Sequence, residues 1–129
     1  MTSDLWALVA TLILAMVQLG LQSILTLRQL GPEWVLSPRD DPRQVVGISG
    51  RFVRAHRNLL EIFPQFLAAL FIVHVAEMNA DLTVYGAWCF FVARLAYVPA
   101  YAYGPKGVRS ICWQGGQIGI LIILADLFV

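Results

Sequence analysis

Four long apolar segments limit what this chain can fold into. The first, Leu5 to Leu27, contains no charged side chain, and Gln18, Gln22 and a few hydroxyls are its only polar groups. Crossing the hydrocarbon core of a bilayer takes about 20 predominantly apolar residues in helical form. Three further segments meet that length: Asn58 to Ala76, Leu82 to Tyr103 and Val108 to Val129. The chain is 59% hydrophobic and only 13% charged, whereas a soluble domain sits near about 45–50% and about 25%. That excess suits lipid as the solvent. The predicted fold is an all-α membrane protein, a bundle of four transmembrane helices in one domain, with helices at about 4–28, 55–77, 82–103 and 108–129. The first run is read as a retained helix, since it has no basic lead-in, starts at Asp4 and ends at Arg28 instead of a small-residue cleavage site.

The links set the topology. Residues Leu30 to Gly50 form the one long polar stretch, broken by Gly31, Pro32, Pro38, Pro42, Gly47 and Gly50. Part of Pro42 to Arg57 is expected to extend the second helix into water. Met78 to Asp81 and Gly104 to Gly107 are short, so consecutive helices run antiparallel. Arg28, Arg39, Arg43, Arg51, Arg54 and Arg57 flank the first link, and Lys106 and Arg109 flank the third. The positive-inside rule then places both of these links in the cytoplasm and both termini away from it. The compact links fit a bacterial inner membrane, and an endoplasmic reticulum protein would look alike.

Charges within the apolar segments are the informative residues, because each costs at least about 2.5–3.5 kcal/mol at the bilayer centre on insertion scales. Helical periodicity puts Arg54, Arg57, Asn58 and Glu61 on one face of the second segment. Arg57 and Glu61, four apart, are spaced to pair. Arg54 alone also suits an arginine that snorkels to the headgroups. Pro64 frees the Leu60 carbonyl and kinks the helix close to Glu61. In the third segment, Arg94, Tyr97 and Tyr101 share a face, and Arg94 calls for an anionic partner, with Glu61 nearest in depth. The fourth segment opens with Arg109-Ser110 and continues through Trp113 to Gly115, Gly116 and Gly119, a small-residue pattern suited to tight helix packing or oligomerisation. Together these residues form a receptor for a polyanionic, hydrogen-bonding small molecule, placed where lipid-soluble compounds also arrive.

Other classes are excluded on the same residues. Cys89 and Cys112 lie inside apolar runs without zinc-type spacing, and no ligand group surrounds His56 or His74, so no metal site is expected. The cations are recessed in helices and do not form a nucleic-acid surface. A Ser-His-Asp arrangement, a phosphate loop and an acidic dyad are all missing.

The motif Arg54-Ala55-His56-Arg57-Asn58-x-x-Glu61-x-Phe63-Pro64 resembles that of the membrane-associated proteins in eicosanoid and glutathione metabolism, the MAPEG family, which includes the microsomal glutathione transferases. The block Ala93-Arg94-Leu95-Ala96-Tyr97-x-x-x-Tyr101 is similar to their third helix, and Arg109-Ser110 to the start of their fourth. The resemblance implies a homotrimer with glutathione, the co-substrate, bound between subunits in the cytoplasmic half. It implies that Arg54, Arg57, Asn58, Glu61, Arg94, Tyr97 and Tyr101 bind glutathione and that Arg109 and Ser110 sit by the thiol. Arg28, His56 and Trp113 are secondary candidates. Trp113 stands where some family members have a tyrosine.

The chemistry agrees. Arginines bind carboxylates in bidentate fashion, and Glu61 suits an ammonium. A thiol ordinarily titrates near pH 8.5, and an adjacent guanidinium favours the thiolate. The expected activity is a transferase or peroxidase that turns this thiolate on lipophilic electrophiles or lipid hydroperoxides from the bilayer. Two other classes compete: a non-catalytic membrane protein binding glutathione, another thiol or an anionic lipid, and a small transporter subunit. Four-helix exporters usually carry a carboxylate in the first membrane helix, and Leu5 to Leu27 has none.

Overall fold

The computed structural model describes residues 1–129 and contains helices, turns and no strand. Four helices are long and apolar enough to cross a membrane. They are α1 (Ser3–Leu36), α2 (Gly47–Val75), α3 (Asp81–Tyr103) and α4 (Val108–Ala125), and a single 3-10 turn, Asp126–Phe128, ends the chain.

The first helix runs beyond its predicted end near residue 28. It continues to Leu36 through a break at Gly31, whose φ of 81° and ψ of 161° are not helical. Pro32 explains the break. Its ring disfavours helical backbone at the residue before it, glycine accepts the positive φ, and proline then starts the short final turn. The link that follows is held to the helix. Trp34 Nε1 donates to the Asp41 carbonyl at 2.8 Å, and the Gln29 side chain takes the Val46 N–H at 2.8 Å. The second helix starts earlier than residue 55, at Gly47, and so carries Arg51, Arg54 and Arg57 on helical backbone, while Arg43 stays in the link.

Helix α2 turns Leu59, Ile62, Phe66, Leu70 and Val73 inward. Phe66 stacks on Phe90 of α3 with ring centroids 4.0 Å apart. Helices α3 and α4 approach backbone to backbone. A Cβ on Gly119 would lie 2.7 Å from the Gly86 carbonyl oxygen, and one on Gly86 would lie 2.6 Å from that of Gly119. The small-residue pattern of α4 is therefore used, at Gly119, inside the chain.

At the end away from the arginines, tertiary contacts replace local caps. Asp126 Oδ2 accepts from the Ala80 and Thr83 N–H groups at 2.9 Å each and from the Thr83 hydroxyl at 2.6 Å. The end of the chain thus caps α3, whose own N-cap, Ala80, has no side chain able to do so. Asp4, almost fully buried, pairs with His74 and ties α1 to α2. This carboxylate belongs to the first turn of α1, so the first membrane helix does carry one, contrary to the reading of Leu5 to Leu27 alone. Its place at the helix end, paired with histidine, makes it a clasp between helices.

Candidate functional site

The opposite, arginine-rich end brings together the start of α2, the second half of α3 and the start of α4. Arg94 is the largest fully buried side chain in the protein, at 1% exposure. It lies ten residues before Gly104, the C-cap of α3, or about 15 Å along the helix. Gly116 on α4 packs beside it, where a Cβ would lie in van der Waals contact with Arg94 Cδ at 3.4 Å. Arg94 Nη2 donates to Asn58 Oδ1 at 2.9 Å. Its guanidinium carbon sits 4.3 Å from the centre of the Tyr97 ring.

The partner of Arg94 is thus Asn58, one turn from the expected Glu61. Glu61 is exposed and forms no ion pair with either Arg94 or Arg57. A neutral amide and an aromatic face stabilise the guanidinium without discharging it. Two of its nitrogens, Nε and Nη1, are buried with no hydrogen-bond partner. A buried charged donor left unpaired costs more than a neutral one, for which the penalty is about 1–3 kcal/mol. An acceptor entering beside Arg94 recovers that cost.

A ladder of aromatic rings leads from Arg94 to the helix ends. Tyr97 and Tyr101 are one turn apart, with centroids 5.6 Å from each other. Arg54 of α2 donates through Nε to the Tyr101 hydroxyl at 3.1 Å. Arg109 of α4 lies over the same ring, 5.0 Å from its centre. Three guanidinium groups from three helices therefore meet two tyrosines, and no carboxylate is paired with any of them. Such a cluster attracts a ligand with more than one anionic group. Two residues outside the expected binding set position it. Arg51 Nη1 donates to the Ala102 carbonyl at 2.7 Å and fixes the start of α2 against the end of α3. Gly50, one turn before Arg54, lets the Val45 carbonyl close on the start of α2, where an added Cβ would lie 2.6 Å from its oxygen and 3.2 Å from Arg54 Nη1. The i, i+4 spacing of Gly50 and Arg54 is the available signal for the second; nothing in sequence marks the first.

The remaining candidates lie apart from this cluster or on its open side. Arg57 is exposed, makes no ion pair, and lines a cleft against α1 together with Gln22 and Thr26. Ser110 is exposed, with no side-chain hydrogen bond. Trp113 is 39% exposed. Arg28 is exposed. His56 is buried, and its Nδ1 has no partner. No group of acidic, histidine and cysteine side chains is arranged to hold a metal ion.

The fold and the site define an integral, multi-pass membrane protein with a cluster of arginines and tyrosines at one end of a four-helix bundle. The chain belongs to the MAPEG family, whose model matches residues 5–129. No curated protein matches it. Membership fits a membrane protein of glutathione or eicosanoid metabolism.

Proposed function

We propose that this protein is a glutathione-dependent membrane transferase or peroxidase acting on lipophilic electrophiles or lipid hydroperoxides. The observation that carries this reading is Arg94, buried in the bundle with two unsatisfied nitrogens and flanked by tyrosines that lead to two further arginines. Glutathione offers two carboxylates, an ammonium and a thiol. In this reading Arg94, Arg54, Asn58, Tyr97 and Tyr101 bind the carboxylates and the peptide, and Glu61, on the open side, takes the ammonium. Arg109 stands nearest the bundle's end and favours the thiolate, with Ser110 beside it. Lowering a thiol pKa by about two units corresponds to roughly 2.7 kcal/mol of differential stabilisation. The thiol proton leaves to water. With an electrophile from the bilayer, the sulfur forms the new C–S bond as the leaving group departs with its bonding pair. With a hydroperoxide, it attacks the terminal oxygen, the O–O bond breaks, and the alkoxide takes a proton and leaves as the alcohol. A second glutathione then converts the sulfenic acid into the disulfide and water.

Family membership supports the choice of glutathione as co-substrate over other thiols. The arginine-rich end faces the cytoplasm in this reading, and both termini lie on the other side. A homotrimer with sites between subunits is part of it, because Glu61, Arg109 and Ser110 are exposed in the single chain and a neighbour would close the pocket over them.

The test is calorimetric titration of detergent-purified protein with glutathione, with thiolate absorbance followed in the ultraviolet. Heat together with a thiolate signal supports a transferase or peroxidase, and turnover of an electrophile or hydroperoxide completes the case. Heat without thiolate leaves a binding protein. No heat at millimolar glutathione overturns the reading.

A further inference from the structure

We propose a second anion site, for the phosphate of an anionic phospholipid, in the cleft between α1, the 37–46 link and the start of α2. Two adjoining cavities of about 300 and 370 Å³ share Val45, Val53 and Arg57. Arg39, Arg43, Arg54 and Arg57 line them, and no aspartate or glutamate does. Arg54 and Arg39 are engaged elsewhere, the first with Tyr101 and the second with the Val35 carbonyl and the Trp34 ring. Arg43 shares its charge with Asp41 at 2.9 Å. Arg57 makes neither a hydrogen bond nor an ion pair and is the free cation at the centre of the cleft.

The wall opposite Arg57 is polar where a membrane helix is normally apolar. Gln22 and Thr26, one turn apart on α1, face into the cleft and bond to no other side chain. They supply donors below the arginines, at the level of the glycerol and ester oxygens of a lipid whose phosphate meets Arg57 and Arg43. Only 11% of the most apolar stretch of α1 is buried by protein, which leaves acyl chains a free surface beside the cleft. Basic pockets between helices at the membrane edge suit anionic headgroups. A headgroup with no net charge satisfies the donors but leaves the arginines uncompensated.

Arg57 lies on the α1 side of α2 and the tyrosine ladder on the α3 side; Arg54, which borders both, is engaged with Tyr101 and is left unchanged in the test, so the two proposals are tested separately. The test is native mass spectrometry of delipidated protein in mild detergent, with phosphatidylglycerol, phosphatidylcholine, inorganic phosphate or glutathione added. Phosphatidylglycerol is expected to bind more tightly than phosphatidylcholine. One arginine near a charged surface contributes a factor of about five, so Arg43→Gln with Arg57→Gln loses about 30-fold for phosphatidylglycerol, and Arg57→Lys retains most of the affinity. Lys106→Gln, which removes a charge at the other link, leaves affinity unchanged. Helical circular dichroism and an unchanged size-exclusion profile in detergent verify that the double variant is folded.

Equal affinity for the two lipids overturns the proposal. So does an equal loss in Lys106→Gln, which would mark a diffuse basic belt. Displacement of the lipid by glutathione would assign the cleft to the thiol site, and binding of inorganic phosphate as tight as that of the lipid would assign it to a soluble anion.

Discussion

Replacing Asn58 with alanine removes the one hydrogen bond made by Arg94, a side chain with 1% exposure. A hydrogen bond to a charged group contributes about 1.5–3 kcal/mol. The cation–π contact with Tyr97 remains, worth about 2 kcal/mol when desolvated, so the guanidinium stays in place but with all its nitrogens unsatisfied. Asn58→Ala is therefore expected to destabilise the protein by about 2 kcal/mol. Arg94→Met keeps most of the volume and removes the charge. Exchange of buried charges for apolar groups is often neutral or stabilising, so this variant is expected to be at least as stable as the natural chain. Asn58→Ala added to it then costs much less than 2 kcal/mol, because nothing charged is left without a partner. A double-mutant cycle by equilibrium unfolding in detergent isolates that coupling. Glutathione calorimetry supplies the second readout, and Arg94→Met is expected to weaken binding about 10- to 100-fold, the equivalent of one lost charged hydrogen bond. The reasoning fails if Asn58→Ala costs the same in both backgrounds, or if Arg94→Met binds glutathione as the natural chain does.

Three further outcomes are expected. Arg109→Ala raises the thiol pKa of bound glutathione and leaves most of the affinity, read from thiolate absorbance against pH; an unchanged profile removes Arg109 from that role. Glu61→Gln weakens glutathione binding itself, and wild-type affinity in that variant would make Glu61 a surface carboxylate only. Gly119→Ala forces apart two backbones whose gap would hold the new Cβ 2.7 Å from the Gly86 oxygen, at a cost of about 1–3 kcal/mol, visible as a lowered unfolding midpoint.

The four membrane helices and the oddity of Arg94 were legible in the sequence. A bilayer demands long apolar runs, and any charge within one stands out. The 3.6-residue period also put Arg94, Tyr97 and Tyr101 on one face, and the structure joins them in one ladder. That period describes each helix by itself. It does not say how one helix is rotated or slid against another, and the choice between Asn58 and Glu61 for Arg94 depends on a shift of about one turn. The Phe66–Phe90 stack between α2 and α3 fixes that register, and it arises from packing between helices. The same holds for Arg57, which shares a face with Arg54 by arithmetic but lies against α1 because that helix runs on beside it, through the break at Gly31. Sequence alone determined the number of helices and the kinds of side chain at the arginine-rich end. Tertiary structure alone decided which of them meet, because side-chain partners across helices are fixed by interhelical distance and rotation, quantities that no single segment contains.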